Sequence, residues 1–182
     1  MYLQDLRLFN FRNIEDITLS FHNQVNLISG ENAQGKSNLI EAIHYLSATR
    51  SFRSTKISEM VNWEKGEFSI FGNLINDHGS KELGIIYSGR KRQILLNGDK
   101  VKKAQDYISS FPVVTFAPHD IDIVFGSPSG RRRVLDRYTS LIYPKVFSSL
   151  KNYQKAIRSK SCLLYTSPSP RDATLSRMPS SA

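Results

Sequence analysis

Hydrophobic and polar positions alternate along much of the first hundred residues, then give way to longer periods. Ile17-Thr18-Leu19-Ser20-Phe21 alternates strictly, the period of a half-buried strand, and Leu6 to Phe11 reads as its partner across a turn at Asn13–Asp16. Val25-Asn26-Leu27-Ile28-Ser29 is a short apolar run of strand type. From about 36 to 48 the period lengthens: Leu39, Ile43 and Leu46 fall at i, i+4 and i+7, which predicts a helix. Alternation returns in Phe68 to Ile75 and Leu83 to Tyr87, separated by the hairpin signal Asn76-Asp77-His78-Gly79-Ser80. Gln93 to Leu96 then meets Asn97-Gly98, the strongest short turn signal. These three strands predict an antiparallel meander over about 66–103, inserted between a glycine loop at 30–37 and whatever completes a parallel core. Beyond it, Ala104 to Ser110 predicts a short helix and Val113-Val114-Thr115-Phe116 a buried strand stopping before Pro118. Gly126 and Pro128 break the chain before a helix from about Arg131 to Ile142, and a second helix follows Pro144. No internal repeat is visible, and the class is α/β.

Between the strand-like run at 25–29 and the helix at 36 lie Gly30-Glu31-Asn32-Ala33-Gln34-Gly35-Lys36-Ser37. They match the phosphate-loop pattern G-x-x-x-x-G-K-[ST] at every position. Strand, glycine loop and helix form the context in which that pattern has a mechanism. The glycines let the backbone wrap closely around phosphates, while the loop N–H groups and the positive helix end point at the anion. Lys36 then reaches the β- and γ-phosphates, and the Ser37 hydroxyl ligates Mg²⁺. The chain is therefore expected to bind a nucleoside triphosphate, or to come from a protein that does.

From Cys162 onward, CLLYTSPSPRDATLSRMPSSA shows no strand or helix period. It back-translates to stretches resembling a transposon-based sequencing adapter, so 162–182 is expected to be non-native and is set aside from fold reasoning. Without Arg171, Arg177 and Asp172, Lys+Arg falls from 25 to 23 and Asp+Glu from 16 to 15, so the net charge goes from +9 to +8. Cys162, the only cysteine, leaves with the tail; no disulfide framework or thiolate metal site remains, which suits a reducing cytoplasm. The N-terminus carries charge within its first apolar stretch, unlike a secretory signal, and no apolar run approaches the ~18 residues of a membrane span.

The positive charge is clustered, which points to a polyanionic partner. Arg90-Lys91-Arg92, Lys100-Lys102-Lys103, and Arg131-Arg132-Arg133 with Arg137 form three groups. Lys151, Lys155, Arg158 and Lys160 line the last helix. Three arginines opening a helix oppose its dipole by ~0.3–1 kcal/mol each, a cost that a bound polyanion offsets. A helix start bridged to Asp136 is the alternative.

Taken together, LxxFRN (Leu8 to Asn13), GENAQGKSNLIEAIHYLS (Gly30 to Ser47), TRSFR (Thr49 to Arg53) and VTFAPHDIDIVFGSPSGRRRVLD (Val114 to Asp136) resemble the RecF family across 1–161. That resemblance implies a P-loop NTPase with an ABC/SMC-like head carrying an inserted antiparallel sheet, its C-terminal half missing here and its helical lobe beginning at about 130–161. It implies a cytoplasmic, ATP-dependent DNA binder of recombinational repair, replication restart and the SOS response. Such a protein acts at gapped DNA or a single/double-strand junction, helps load RecA with RecO and RecR, and forms an ATP-dependent homodimer. Carried over, Gly30 to Ser37 receive ATP and Mg²⁺, and Asn38 makes a lesser phosphate contact. Arg12 stands where related heads place a nucleotide-contacting arginine; a structural strand-end arginine is the other reading. His119, in Ala117-Pro118-His119-Asp120, replaces an acidic residue usual in the γ-phosphate-sensing loop, which puts that residue's role in doubt. Arg131 to Arg133 and Arg137 are candidate DNA contacts.

Neither a Walker B aspartate with its adjacent glutamate nor a signature segment occurs in 1–161. The catalytic residues are thus unassigned. The whole protein is expected to be a weak DNA-stimulated ATPase and this stretch inactive, since Lys36 and Ser37 supply positioning but no water activation. An SMC-like or nuclease-linked ATPase head, and a non-hydrolysing nucleic-acid-binding module, stand as alternatives.

Overall fold

The computed structural model describes residues 1–62, 65–77, 79–102, 107–108 and 110–166. The chain divides into two compact units, residues 1–120 and 121–182. The first is built on a six-stranded antiparallel sheet in the order β2-β1-β3-β4-β5-β6, whose strands are β1 (Tyr2–Phe11), β2 (Ile14–Ser20), β3 (Phe68–Asn76), β4 (Gly79–Ser88), β5 (Lys91–Leu96) and β6 (Asp99–Lys100). The expected N-terminal hairpin and meander are thus one sheet, because β1 pairs with both β2 and β3.

Two-residue turns set the registers. Phe11 faces Ile14, so the first turn is Arg12-Asn13, earlier than the Asn13–Asp16 expected, with Arg12 at φ 57°. Gly89-Arg90 and Asn97-Gly98 join β4 to β5 and β5 to β6, with all four residues at positive φ, the requirement of a type I′ turn. Asn76 faces Gly79 across β3 and β4, and His78 lies outside the described residues. In β1 a register shift between Leu3 and Asp5 breaks the alternation, so Leu3, Leu6 and Leu8 are all buried.

Helix α1 (Lys36–Ala48) lies across the core face of this sheet and buries Leu39, Ala42, Tyr45 and Leu46 against Leu6, Leu8, Ile70 and Leu83. Gly72 permits the close approach: a Cβ there would stand 2.6 Å from Leu46 Cδ2 and 2.9 Å from Leu3 Cδ1. Phe68 sits among aromatic rings, edge-on to Phe11 and Tyr45 and stacked on Tyr87, arrangements favoured by the ring quadrupole.

Two expected strands do not form. Residues 25–29 and 113–116 pair with nothing in the described sheet; Val25 and Leu27 are 83% and 90% exposed, Val114 and Phe116 78% and 84%. Strands of this apolar type need covered faces and parallel neighbours. Among the described residues the sheet is antiparallel throughout, built from hairpin pairings and the long-range pairing of β1 with β3, and it offers these runs no parallel neighbour. The short helix expected over Ala104–Ser110 falls largely outside the described residues; Tyr107, which is described, is fully buried.

In the second unit, α2 (Pro128–Ile142) begins three residues before the expected Arg131. Ser127 is its N-cap, accepting from Gly130 N, and Pro128 is its first residue, a preferred start. The arginines therefore follow the first turn, which weakens their conflict with the dipole. Helix α3 (Pro144–Thr166) runs through Cys162 to Thr166. This overturns the expected absence of helix at the start of the tail: nothing in Cys162-Leu163-Leu164-Tyr165 breaks a helix already under way, and residues 167–182 lie outside the described set. No described helix is long and apolar enough to cross a membrane.

Candidate nucleotide site

The loop from Gly30 to Gly35 owes its shape to three residues at positive φ: Gly30 at 151°, Ala33 at 67° and Gly35 at 99°. Gly35 is the N-cap of α1, which has no side-chain cap and no acidic residue in its first turn. A helix end of this kind leaves its first N–H groups as donors beside a positive dipole. Lys36 Nζ is folded onto the loop and donates to Gly30 O (2.7 Å) and Glu31 O (2.6 Å). Gly30 has open space around it, with no atom within 4 Å of a Cβ built there. Glycine backbone, unopposed helix dipole, lysine and the Ser37 hydroxyl make a donor set that fits a polyphosphate and its hard cation. Among the described residues no group of three or more His, Cys, Asp or Glu could hold a metal ion.

Behind the loop lies a polar network that sequence reasoning missed. Its hub is Glu41 of α1, whose side chain is 0% exposed. Arg12 grips it with two bonds, Nε to Oε2 (3.1 Å) and Nη2 to Oε1 (2.7 Å), and also donates to Ser54 Oγ (2.7 Å) and Glu59 O. Arg53 lies 3.6 Å from Glu41 Oε2, and Ser51 Oγ donates to Oε1. A buried carboxylate is stable when paired and fully hydrogen-bonded, and the bidentate guanidinium meets that demand. Arg12 is thus committed to Glu41 here, as a strand-end structural arginine would be. The only sequence-level trace of the hub is Glu41 amid α1's buried positions, one helical turn from Asn38.

Asn38, for which a lesser phosphate contact is expected, bridges two side chains: its Nδ2 donates to Asn13 Oδ1 (2.7 Å) and its Oδ1 accepts from Arg53 Nη1 (2.8 Å). Asn13 Nδ2 donates to Ala33 O (3.3 Å), joining the β1–β2 turn to the loop. Beside Gln34, Gly35 and Lys36 opens a mainly apolar cleft of about 460 Å³ lined by Ile14, Ile17 and Leu27.

The basic clusters are not uniformly available. Arg92 turns inward and donates to Thr49 O, with Tyr45 Oη 3.5 Å away. Burial raises the Tyr45 hydroxyl's pKa, and hydrogen bonding and charge from Arg92 oppose that rise. Burial likewise raises that of Tyr107. Lys103 lies outside the described residues. In the second unit Arg131 donates to Gly126 O (3.2 Å) and Arg132 to Pro128 O (3.3 Å), so both brace the start of α2. Arg133 is exposed and shares a helix face with half-buried Arg137 at i, i+4. Asp136 makes no ion pair among the described residues, so the alternative salt-bridged helix start is not formed. Asp120 Oδ2 accepts from Ala117 N (2.7 Å), closing the turn that contains His119, whose side chain lies outside the described residues.

Known proteins resemble this chain in sequence and in backbone shape. The family described as the RecF/RecN/SMC N terminal domain matches residues 2–121. A DNA replication and repair protein RecF from Exiguobacterium sp. is 38% identical over 164 residues, covering 90% of this chain and 44% of the relative. The RecF of Bacillus subtilis is 35% identical with the same coverage. A solved structure of the recombination mediator protein RecF-ATP in the RecFOR pathway superposes with a TM-score of 0.82 at 39% identity, covering 90% of this chain and 44% of that one. The SMC head domain of Thermotoga maritima superposes with a TM-score of 0.54 at 21% identity, covering 79% and 57%, a likeness of fold alone. The chain thus spans less than half the length of the RecF relatives it matches.

Proposed function

This chain belongs to the RecF/RecN/SMC N-terminal domain family, and from that premise we propose that it is the nucleotide-binding portion of an ATP-dependent DNA-binding protein of replication and repair. One observation carries the proposal: an uncapped α1 follows Gly35, and Lys36 lies on the loop carbonyls beside it. The loop N–H groups and Lys36 would hold the phosphates, and Ser37 would ligate Mg²⁺. The metal would neutralise charge on the phosphate oxygens. Lys36 and the helix dipole orient the same oxygens, which is positioning without activation of a nucleophile. Hydrolysis by the whole protein would then need groups outside those described here.

The wider role follows from the relatives and from charge. Binding at gapped or junction DNA, RecA loading with RecO and RecR, an ATP-dependent homodimer, a part in the SOS response and a cytoplasmic setting are proposed for the whole protein. Arg133 and Arg137 are the better DNA candidates, because Arg131 and Arg132 are engaged with backbone.

The test is Lys36→Ala in the full-length protein, with DNA affinity measured with and without Mg-ATP. Loss of the ATP-dependent increment supports an ATP-gated DNA binder. An unchanged increment would sink it and favour a nucleic-acid-binding module whose loop is vestigial.

A further inference from the structure

We propose that Asn13 is a positioning residue of the phosphate loop, its carboxamide holding Ala33 and Gly35 in the geometry that receives phosphate. Three contacts converge on this side chain. Nδ2 donates to Ala33 O (3.3 Å), and Oδ1 accepts from Asn38 Nδ2 (2.7 Å). The carboxamide also lies so close to Gly35 that a Cβ there would stand 3.1 Å from Oδ1. Ala33 is a non-glycine residue in the left-handed region, a conformation that persists only where surroundings impose it. A fixed donor on its carbonyl restrains the peptide that follows, and with it the direction of the loop N–H groups.

The order of donors makes the arrangement directional. A guanidinium can only donate, so Arg53 on Asn38 Oδ1 leaves the Asn38 amide nitrogen to face Asn13 Oδ1. That turns Asn13 Nδ2 toward Ala33 O. Arg53 reaches Glu41, and Glu41 is held by Arg12, the residue before Asn13. The row of contacts closes on itself and ties the β1–β2 turn, the phosphate loop, α1 and the 51–54 segment together. Asn13 is exposed and outside the apolar core, so its truncation opens no cavity.

This inference rests on the reading of 30–37 as a triphosphate site. It is tested in the full-length protein by comparing wild type, Lys36→Ala, Asn13→Ala and Asn13→Asp. The probes are a fluorescent ATP analogue and inorganic tripolyphosphate, each with Mg²⁺, together with hydrogen exchange of the unliganded loop amides. Asn13→Ala is expected to weaken both probes about tenfold, the scale of one hydrogen bond to a polar group. It should also speed exchange across 31–35 while leaving the melting temperature close to wild type. Asn13→Asp keeps an acceptor for Asn38 but loses the donor and adds negative charge, so it should bind more weakly still; it carries the same test if Asn13→Ala fails to fold. Wild-type affinity for tripolyphosphate in both variants overturns the positioning role. So does a selective loss of the ATP analogue, which would make Asn13 a base or sugar contact. If wild type binds neither probe, the triphosphate reading fails first and the role of Asn13 falls with it.

Discussion

Glu41 shows how much a single residue can decide. It is a fully buried carboxylate, and Arg12, Arg53 and Ser51 all converge on it. Removing one partner of such a group leaves the others' charge unmatched, at a cost of ~3–5 kcal/mol for a buried pair. Glu41→Ala is therefore expected to lower the free energy of unfolding by an amount near the low end of that range, because Arg12 is 19% exposed and can recover some water. Glu41→Gln should cost less, since it keeps an acceptor for one guanidinium. Equilibrium denaturation of both variants checks the order, and equal stability of wild type and Glu41→Ala would show that the two arginines are solvated without it. The pattern from Gly30 to Ser37 was legible in the sequence because it is contiguous, with a chemical reason at each position. Glu41 was not: its partners lie 29 residues before it and 10 and 12 after it, and nothing in the local spacing marks a helical glutamate as buried.

At the scale of elements, hairpins were the most legible and isolated strands the least. Asn97-Gly98 predicted its turn because few residues adopt left-handed φ cheaply at both positions. The turn at Arg12-Asn13 was misplaced because Arg12 adopts φ 57° without glycine's help; its guanidinium is anchored by Glu41, Ser54 and Glu59. The approach of α1 to the sheet turns on Gly72, where any side chain meets Leu46 and Leu3. Gly72→Val is expected to destabilise by ~1–3 kcal/mol through overpacking. A shift in the urea midpoint at constant slope would register it. No shift would mean that α1 can lift from β3 without loss.

At the scale of the whole molecule, the exposed apolar runs stand out. Val25, Leu27, Val114 and Phe116 lie on segments outside the described sheet and are each more than three-quarters exposed, and apolar exposure of this kind favours association. The 182-residue chain is expected to self-associate at micromolar concentration and to enhance the fluorescence of a hydrophobic dye. Replacing Leu27 and Phe116 with serine should reduce both effects. Sedimentation across a concentration series decides this, and a monomer at every concentration would mean those segments are covered. The sequence was sufficient for the glycine turn into α1, α1 itself, the β3–β5 meander and the two helices after Ser127, because each is specified by period or turn residues within a few dozen positions. It could not show that β1 joins β2 to the meander, that Asn13, Asn38 and Arg53 form one donor row, or that Arg131 and Arg132 spend their side chains on backbone carbonyls. Nor could it reveal that 25–29 and 113–116 stay unpaired. Those outcomes depend on which groups meet across long stretches of chain, and a strand's pattern records its preference for a neighbour without supplying one.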